Sequence, residues 1–243
     1  MRFLAAIVLA LPLVSWGQNE TRETRELGGQ LGSRPALLVL HASRAPEGGL
    51  QLAGEYIVLT TMQRRFLEGE SSAEIGVTTL REGATPILFG RSPTGELRGT
   101  LRGGTFKGVR YGPGGQERER FDFSEEFPSL DGYSAKTSCD ASAAGYSSSL
   151  ALAVESGKLQ SLDWRSKVEG SEHACAVANL EQQAMKGGLR FVSGRCTLTL
   201  REIGDYVRLS AENCTEQCGT QAYLEPLLID RRGNCRLLRP DSR

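Results

Sequence analysis

Leu97-Arg98-Gly99-Thr100-Leu101-Arg102, then Gly103-Gly104, then Thr105-Phe106-Lys107-Gly108-Val109-Arg110-Tyr111 is the stretch whose reading decides the fold. In an extended chain, Leu97, Gly99 and Leu101 share one face while Arg98, Thr100 and Arg102 share the other, so one side is dry and one is wet. Gly103-Gly104 separates this run from the next. A two-residue loop that matches strand twist needs positive φ, which glycine adopts without strain. The pattern predicts an antiparallel hairpin.

The same grammar extends in both directions. Tyr56–Thr61, Ile75–Leu80, Thr85–Phe89 and Gln116–Phe123 read as strands, with turns at Glu82-Gly83, Ser92-Pro93-Thr94-Gly95 and Gly112-Pro113-Gly114-Gly115. Further on, Leu150, Leu152 and Val154 share a face, Ser156-Gly157 turns the chain, and Leu162, Trp164 and Val168 resume. Cys196, Leu198 and Leu200 alternate with Thr197, Thr199 and Arg201, Gly204-Asp205 turns the chain, and Val207, Leu209 and Ala211 follow. Tyr223–Ile229 and Cys235–Leu238 close the pattern around Asp230–Asn234. The expected class is all-β, an antiparallel meander of barrel-like form. One segment, Val177–Met185, has helical character, with Leu180 and Ala184 four apart and Gly187-Gly188 as a stop.

Strand patterning pauses at Glu125–Leu130, and every cysteine lies beyond it. That shift divides the chain into an N-terminal β subdomain, residues 35–128, and a C-terminal cysteine-rich β subdomain, residues 129–243. Residues 18–34 are polar without apolar periodicity and read as a flexible leader. Residues 1–17 carry Arg2, an apolar run from Phe3 to Val14, and small residues Ser15 and Gly17. This is the order of a signal peptide, with cleavage expected after Gly17. The run is well short of the roughly 20 residues a helix needs to cross a bilayer, and no membrane span is expected. Export to the periplasm or medium is expected.

Six cysteines, Cys139, Cys175, Cys196, Cys214, Cys218 and Cys235, are an even set in an exported chain and read as disulfides. Six allow 15 pairings, and the spacing chooses none of them. Cys196 falls on the apolar face of its strand and Cys214 just past the next, which suits a bond from sheet to loop. Only one short cysteine pair is present, whereas zinc sites usually show two, so no metal is expected.

Lys plus Arg and Asp plus Glu number 29 each, so no net field selects a polyanion. The strip Arg98, Arg102, Lys107 and Arg110 with Phe106 and Tyr111 superficially suits nucleic acid, but charged outward positions are also how a sheet wets one face. No nucleic-acid partner is expected. The two histidines, His41 and His173, stand near no nucleophile elbow, and His173 beside Cys175 reads as a polar neighbour of a disulfide. Asp163 beside Trp164 alternates to the opposite face. Asn19-Glu20-Thr21 and Asn213-Cys214-Thr215 match the N-glycosylation pattern. No catalytic residue and no cofactor is assigned.

The corner from Cys214 to Gly219 is the most constrained loop, and Glu212, Glu216 and Gly219 are its candidate recognition residues, since disulfides preorganise a loop for binding. In plan, an exported β-meander with a cysteine-rich C-terminal half resembles small bacterial periplasmic binding and inhibitor proteins, some lysozyme inhibitors among them. The expected function is therefore non-catalytic, inhibitor-like binding of a protein, an envelope glycan or another envelope component. Two alternatives stay open: a carboxylate-dependent hydrolase acting on envelope glycans, and a structural component of the envelope. Oligomeric state and ligand are left open by the residues.

Overall fold

The computed structural model describes residues 23–44, 49–72, 76–86, 92–143, 145–170, 174–178, 180–219 and 224–238. Eight antiparallel strands close a barrel in chain order: β1 (Glu23–Leu31), β2 (Arg34–Arg44), β3 (Leu50–Val58), β4 (Gln63–Ser71), β5 (Val77–Gly83), β6 (Gly95–Arg102), β7 (Thr105–Tyr111) and β8 (Glu117–Ser124). β1 closes it by pairing with β8 over Gly28–Leu31. The β6–β7 hairpin turns on Gly103 and Gly104, with φ of 58° and 75°, the signs that its sequence required.

Alternation along these strands fills the barrel. Leu38, Leu40, Leu52, Tyr56, Leu67, Leu80, Leu97, Phe106 and Phe123 are buried within it, and the rings of Phe106 and Phe121 pack 4.6 Å apart. At Gly108 a Cβ would overlap the Arg98 carbonyl, so glycine is what lets neighbouring strands approach there. Outward positions such as Glu70, Arg81, Arg98, Lys107 and Arg120 are exposed. A charged exterior around an apolar interior is the reverse of a membrane-spanning barrel. No helix among the described residues is long and apolar enough to cross a membrane.

Beyond the barrel lie two open antiparallel sheets. One contains β9 (Ala135–Ala143), β10 (Tyr146–Glu155), β11 (Lys158–Val168) and β12 (Ala174–Val177), in the order β12-β11-β10-β9. The other runs in chain order through β13 (Glu181–Gln183), β14 (Leu189–Ser193), β15 (Cys196–Ile203), β16 (Tyr206–Glu212), β17 (Leu227–Asp230) and β18 (Cys235–Leu237). Their inner faces share one core that includes Trp164, Leu150, Leu152, Phe191, Leu198, Leu200 and Leu209. The short helix α1 (Thr215–Cys218) follows β16.

Disulfides hold these sheets at both margins. Cys139 of edge strand β9 joins Cys235 of edge strand β18, and Cys175 of the opposite edge strand β12 joins Cys218 of α1. Cys196 at the start of β15 joins Cys214 just before α1, a bond from sheet to loop. No described cysteine is free.

A third apolar cluster joins the barrel wall to the second sheet. Leu37, Ile57 and Leu59 from the barrel's outside meet Ile203, Leu228 and Leu238. This explains why Ala36–Leu40 is apolar without alternation: one face fills the barrel and the other packs against a sheet. Polar groups tie the same seam. Arg208 donates from Nη1 and Nη2 to the two carboxylate oxygens of Glu26 at 2.6 and 2.8 Å, and Arg201 reaches Glu26 at 3.3 Å.

Four expectations are revised. The expected turn at Glu82-Gly83 is instead the last part of β5, because Glu82 points into the barrel and is paired there. The stretch read as a flexible leader contains, from Glu23 onward, a barrel strand. Its polarity misled because Glu26 is neutralised by arginines of β15 and β16, while Leu27 and Leu31 alone supply its large buried side chains. The segment Val177–Met185 is not helical: Val177 ends β12, and Glu181–Gln183 is an edge strand paired with β14. Its glutamine spacing serves the sheets instead, since the Gln182 amide accepts from the Leu159 N–H and donates to the Gly157 carbonyl. The expected strand Thr85–Phe89 opens on a bend at Thr85, with residues 87–89 outside the described set. The signal peptide, Asn19 and His173 also lie outside it.

Candidate binding cleft

Strands β2 to β5, β7 and β8 place polar side chains at one end of the barrel interior, where alternation would otherwise call for apolar ones. Glu82 of β5 is fully buried. The Tyr56 hydroxyl donates to its Oε2 at 2.8 Å, and Arg110 grips it with Nε at 2.7 Å from Oε2 and Nη2 at 2.9 Å from Oε1. Arg65 Nε stands 3.3 Å from Oε1. Arg110 also reaches Glu119 at 3.1 Å, and Arg34 Nη2 donates to both oxygens of Glu119 at 2.8 Å. The barrel wall at β6 makes room with Gly95, where a Cβ would stand 2.7 Å from the Tyr111 carbonyl.

Burial alone would raise the Glu82 pKa, but the Arg110 and Tyr56 hydrogen bonds and the Arg110 and Arg65 charges outweigh it and hold the carboxyl below its ordinary 4.5. Burial, with the Glu82 charge beside it, pushes the Tyr56 phenol well above its ordinary range. A carboxylate saturated by donors and a phenol locked in its protonated form do not exchange protons near neutral pH. The cluster's chemistry is that of a fixed ionic plug.

Arg65 links this plug to the outside. It lines a cleft of about 860 Å³ between the barrel and the sheets. The barrel wall of the cleft comprises Ile57, Thr61–Phe66 and Ala84–Pro86; the opposite wall is Asp140–Ala143 of β9 and Cys235–Leu237 of β18. The Cys139–Cys235 bond therefore sits in the second wall and fixes its two strands at a Cα separation of 5.8 Å. Charged lining residues are Arg64, Arg65, Arg236 and Asp140. Arg64 is held by Glu55 at 2.8 Å and by the Leu238 carbonyl at 3.2 Å. Arg236 is exposed and makes no ion pair among the described residues. Arg64 is thus neutralised by Glu55 and Arg65 by Glu82, so the cleft's remaining charges are Arg236 and Asp140, and its stapled wall suits an elongated ligand.

Glu212, Glu216 and Gly219 lie elsewhere, exposed around α1. Cys214 and Cys218 flank that turn and are bonded to β15 and β12 respectively, so the corner is anchored on two sides. The basic strip of β6–β7 is split between faces: Phe106 is buried inside the barrel and Arg110 points to Glu82, leaving Arg98, Arg102 and Lys107 outside. Arg98 is paired with Glu96 and lies over Tyr111, while Lys107 pairs with Asp122 at 2.9 Å. Asp163 and Trp164 take opposite faces; Trp164 is fully buried and Asp163 pairs with Arg165. Among the described residues, no group of three or more His, Cys, Asp or Glu side chains is placed to hold a metal ion.

Sequence reasoning did not find the cleft because Arg64, Asp140 and Arg236 are distant in the chain. The one local hint is the doublet Arg64-Arg65, which alternation sends to opposite faces of a strand. No known protein family, curated protein or solved structure matches the chain.

Proposed function

We propose that this chain is an exported, non-catalytic binding protein that holds a partner protein or envelope glycan in the cleft between its barrel and its sheets. The carrying observation is that cleft, about 860 Å³ with one wall stapled by Cys139–Cys235. A preformed wall lowers the ordering entropy lost on association, so weak contacts along its length translate into affinity. The signal-like N-terminus supports export, and three disulfides are compatible with an oxidising compartment. The corner bearing Glu212, Glu216 and Gly219 is a second surface for contact, supported by its anchoring to β12 and β15.

The test is affinity capture from periplasmic or secreted extract with the cleaved protein, followed by rebinding of each purified component to wild type and to Arg236→Glu. Binding weakened about tenfold by the charge reversal supports the cleft. Equal binding by both proteins removes it. Turnover of a glycan or ester substrate that one carboxylate substitution abolishes would place the hydrolase reading first.

A further inference from the structure

The three disulfides differ in exposure. Cys175, Cys196, Cys214 and Cys218 are buried in the core that the two sheets share, whereas Cys139 and Cys235 are only partly buried at its margin. Cys235 also lines the cleft. Thiol–disulfide exchange requires a thiolate to reach a sulfur of the bond it breaks, so access selects which bond is attacked first. Local charge makes no such selection here: exposed Asp140 follows Cys139 and exposed Arg236 follows Cys235, and their signs offset. The Cys139–Cys235 bond is also the one covalent link between edge strands β9 and β18, which belong to different sheets and share no ladder. β18 is three residues long, and its one ladder among the described residues is with β17. Leu237 is anchored in the core of the sheets and Leu238 in the cluster at the barrel seam, so the strand stays tethered when the bond is cut.

We propose that Cys139–Cys235 is a redox-sensitive latch on the cleft: a dithiol reductant opens it ahead of the other two disulfides, frees β9 from β18 and loosens the cleft wall that these strands form. One thiolate of the reductant attacks the sulfur of Cys235, the partner that lines the cleft, giving a mixed disulfide and expelling the Cys139 thiolate, which takes up a proton. The reductant's second thiolate then displaces Cys235. Two electrons pass in all, so the reductant's two thiols become one disulfide and the protein's disulfide becomes two thiols. Cys175–Cys218 and Cys196–Cys214 stay closed because their sulfurs come within reach only when the core opens. The latch's bearing on binding rests on the reading above, while the order of reduction and the loosening stand apart from it.

The test is timed reduction of the native mature protein by dithiothreitol, quenched by alkylation and mapped by mass spectrometry. Alkylation is expected to appear at Cys139 and Cys235 about tenfold or more faster than at the other four cysteines. Amide exchange of the singly reduced protein should quicken about tenfold or more at residues 136–143 and 235–237 and stay as it was in β1 to β8. Combined Cys139→Ser and Cys235→Ser should reproduce that exchange pattern without reductant. Should this double variant fail to fold, the singly reduced wild type supplies the same measurement.

Reduction of all three disulfides together, or of either buried one first, overturns the proposal. So does selective reduction that leaves exchange at residues 136–143 unchanged, because the bond would then hold nothing that moves. A partner that depends on Arg236 yet binds the oxidised and singly reduced forms equally overturns the latch's hold on the cleft. Partners indifferent to Arg236→Glu remove the binding reading instead and leave the order of reduction and the loosening to be judged by the first two measurements.

Discussion

Arg110 and Glu82 form a two-point ion pair inside the closed barrel, with both carboxylate oxygens within 2.9 Å of guanidinium nitrogens and the carboxylate fully buried. The pair joins β7 to β5 across β6, and Tyr56 from β3 adds a third donor. Its importance lies less in attraction than in the buried charge that losing either member would strand.

Arg110→Met leaves the buried Glu82 carboxylate with only the Tyr56 hydroxyl and Arg65 at 3.3 Å, so it is expected to destabilise by about 2–3 kcal/mol. Replacing both, Glu82→Leu with Arg110→Met, should recover much of that loss, since apolar side chains of similar volume often substitute well for a buried pair. Urea unfolding of both proteins measures the difference. A double variant no more stable than the single one would show that Tyr56, Arg65 and Glu119 depend on the pair for their own satisfaction.

Acid should loosen the seam between barrel and sheets. Burial alone would raise the Glu26 pKa, but its hydrogen bonds to Arg208 and the charges of Arg208 and Arg201 hold it below 4.5, as Glu82 is held. Both carboxyls bind protons less readily folded than unfolded, so their contribution is full above the unfolded value and is lost as pH falls through the folded one. The urea midpoint is expected to drop as pH falls below the ordinary carboxyl value of 4.5. Glu26→Gln should be less stable near neutrality, by about 1–3 kcal/mol, and should show a shallower acid slope. An acid slope identical to wild type would remove Glu26 from the account.

The three disulfides close loops of very different length. Cys139–Cys235 spans 96 residues and Cys196–Cys214 spans 18. On chain-entropy grounds, serine replacement of the first pair should destabilise by about 4–5 kcal/mol and of the second by about 3. Denaturant midpoints of the two double variants provide the comparison. The native protein should show no thiol at any cysteine position to an alkylating reagent, before or after unfolding without reductant.

Trp164 reports on the core of the two sheets, because Trp16 falls in the expected signal peptide and the chain has two tryptophans. Its indole Nε1 donates to Ser148 Oγ at 2.8 Å within a fully buried site. Ser148→Ala leaves that N–H without a partner and should destabilise by about 1–3 kcal/mol, with tryptophan fluorescence following the transition. A variant as stable as wild type would mean that the indole finds another acceptor.

How far the fold could be read varied with how local its causes were. Leu97 to Tyr111 announced their hairpin because alternation and a Gly-Gly turn act between neighbours, and β10–β11 followed the same rule through Ser156 and Gly157, with φ of 48° and 72°. β1 was hidden because its Glu26 is matched by Arg208, 182 residues away. Gln182 looked like part of a helix because the hairpin it serves, at Gly157 and Leu159, is likewise far along the chain.

From residue order alone came the strand class, the hairpin turns at Gly103-Gly104 and Ser156-Gly157 and the even set of six cysteines, since each depends on backbone preference and spacing within a few tens of residues. Tertiary structure alone decided that β1 meets β8 to shut the barrel, that Cys139 finds Cys235 and Cys175 finds Cys218, and that Arg64, Asp140 and Arg236 line one cleft. Those outcomes depend on distances between residues far apart in the chain, and such distances exist only once apolar faces have packed and drawn the charges into place.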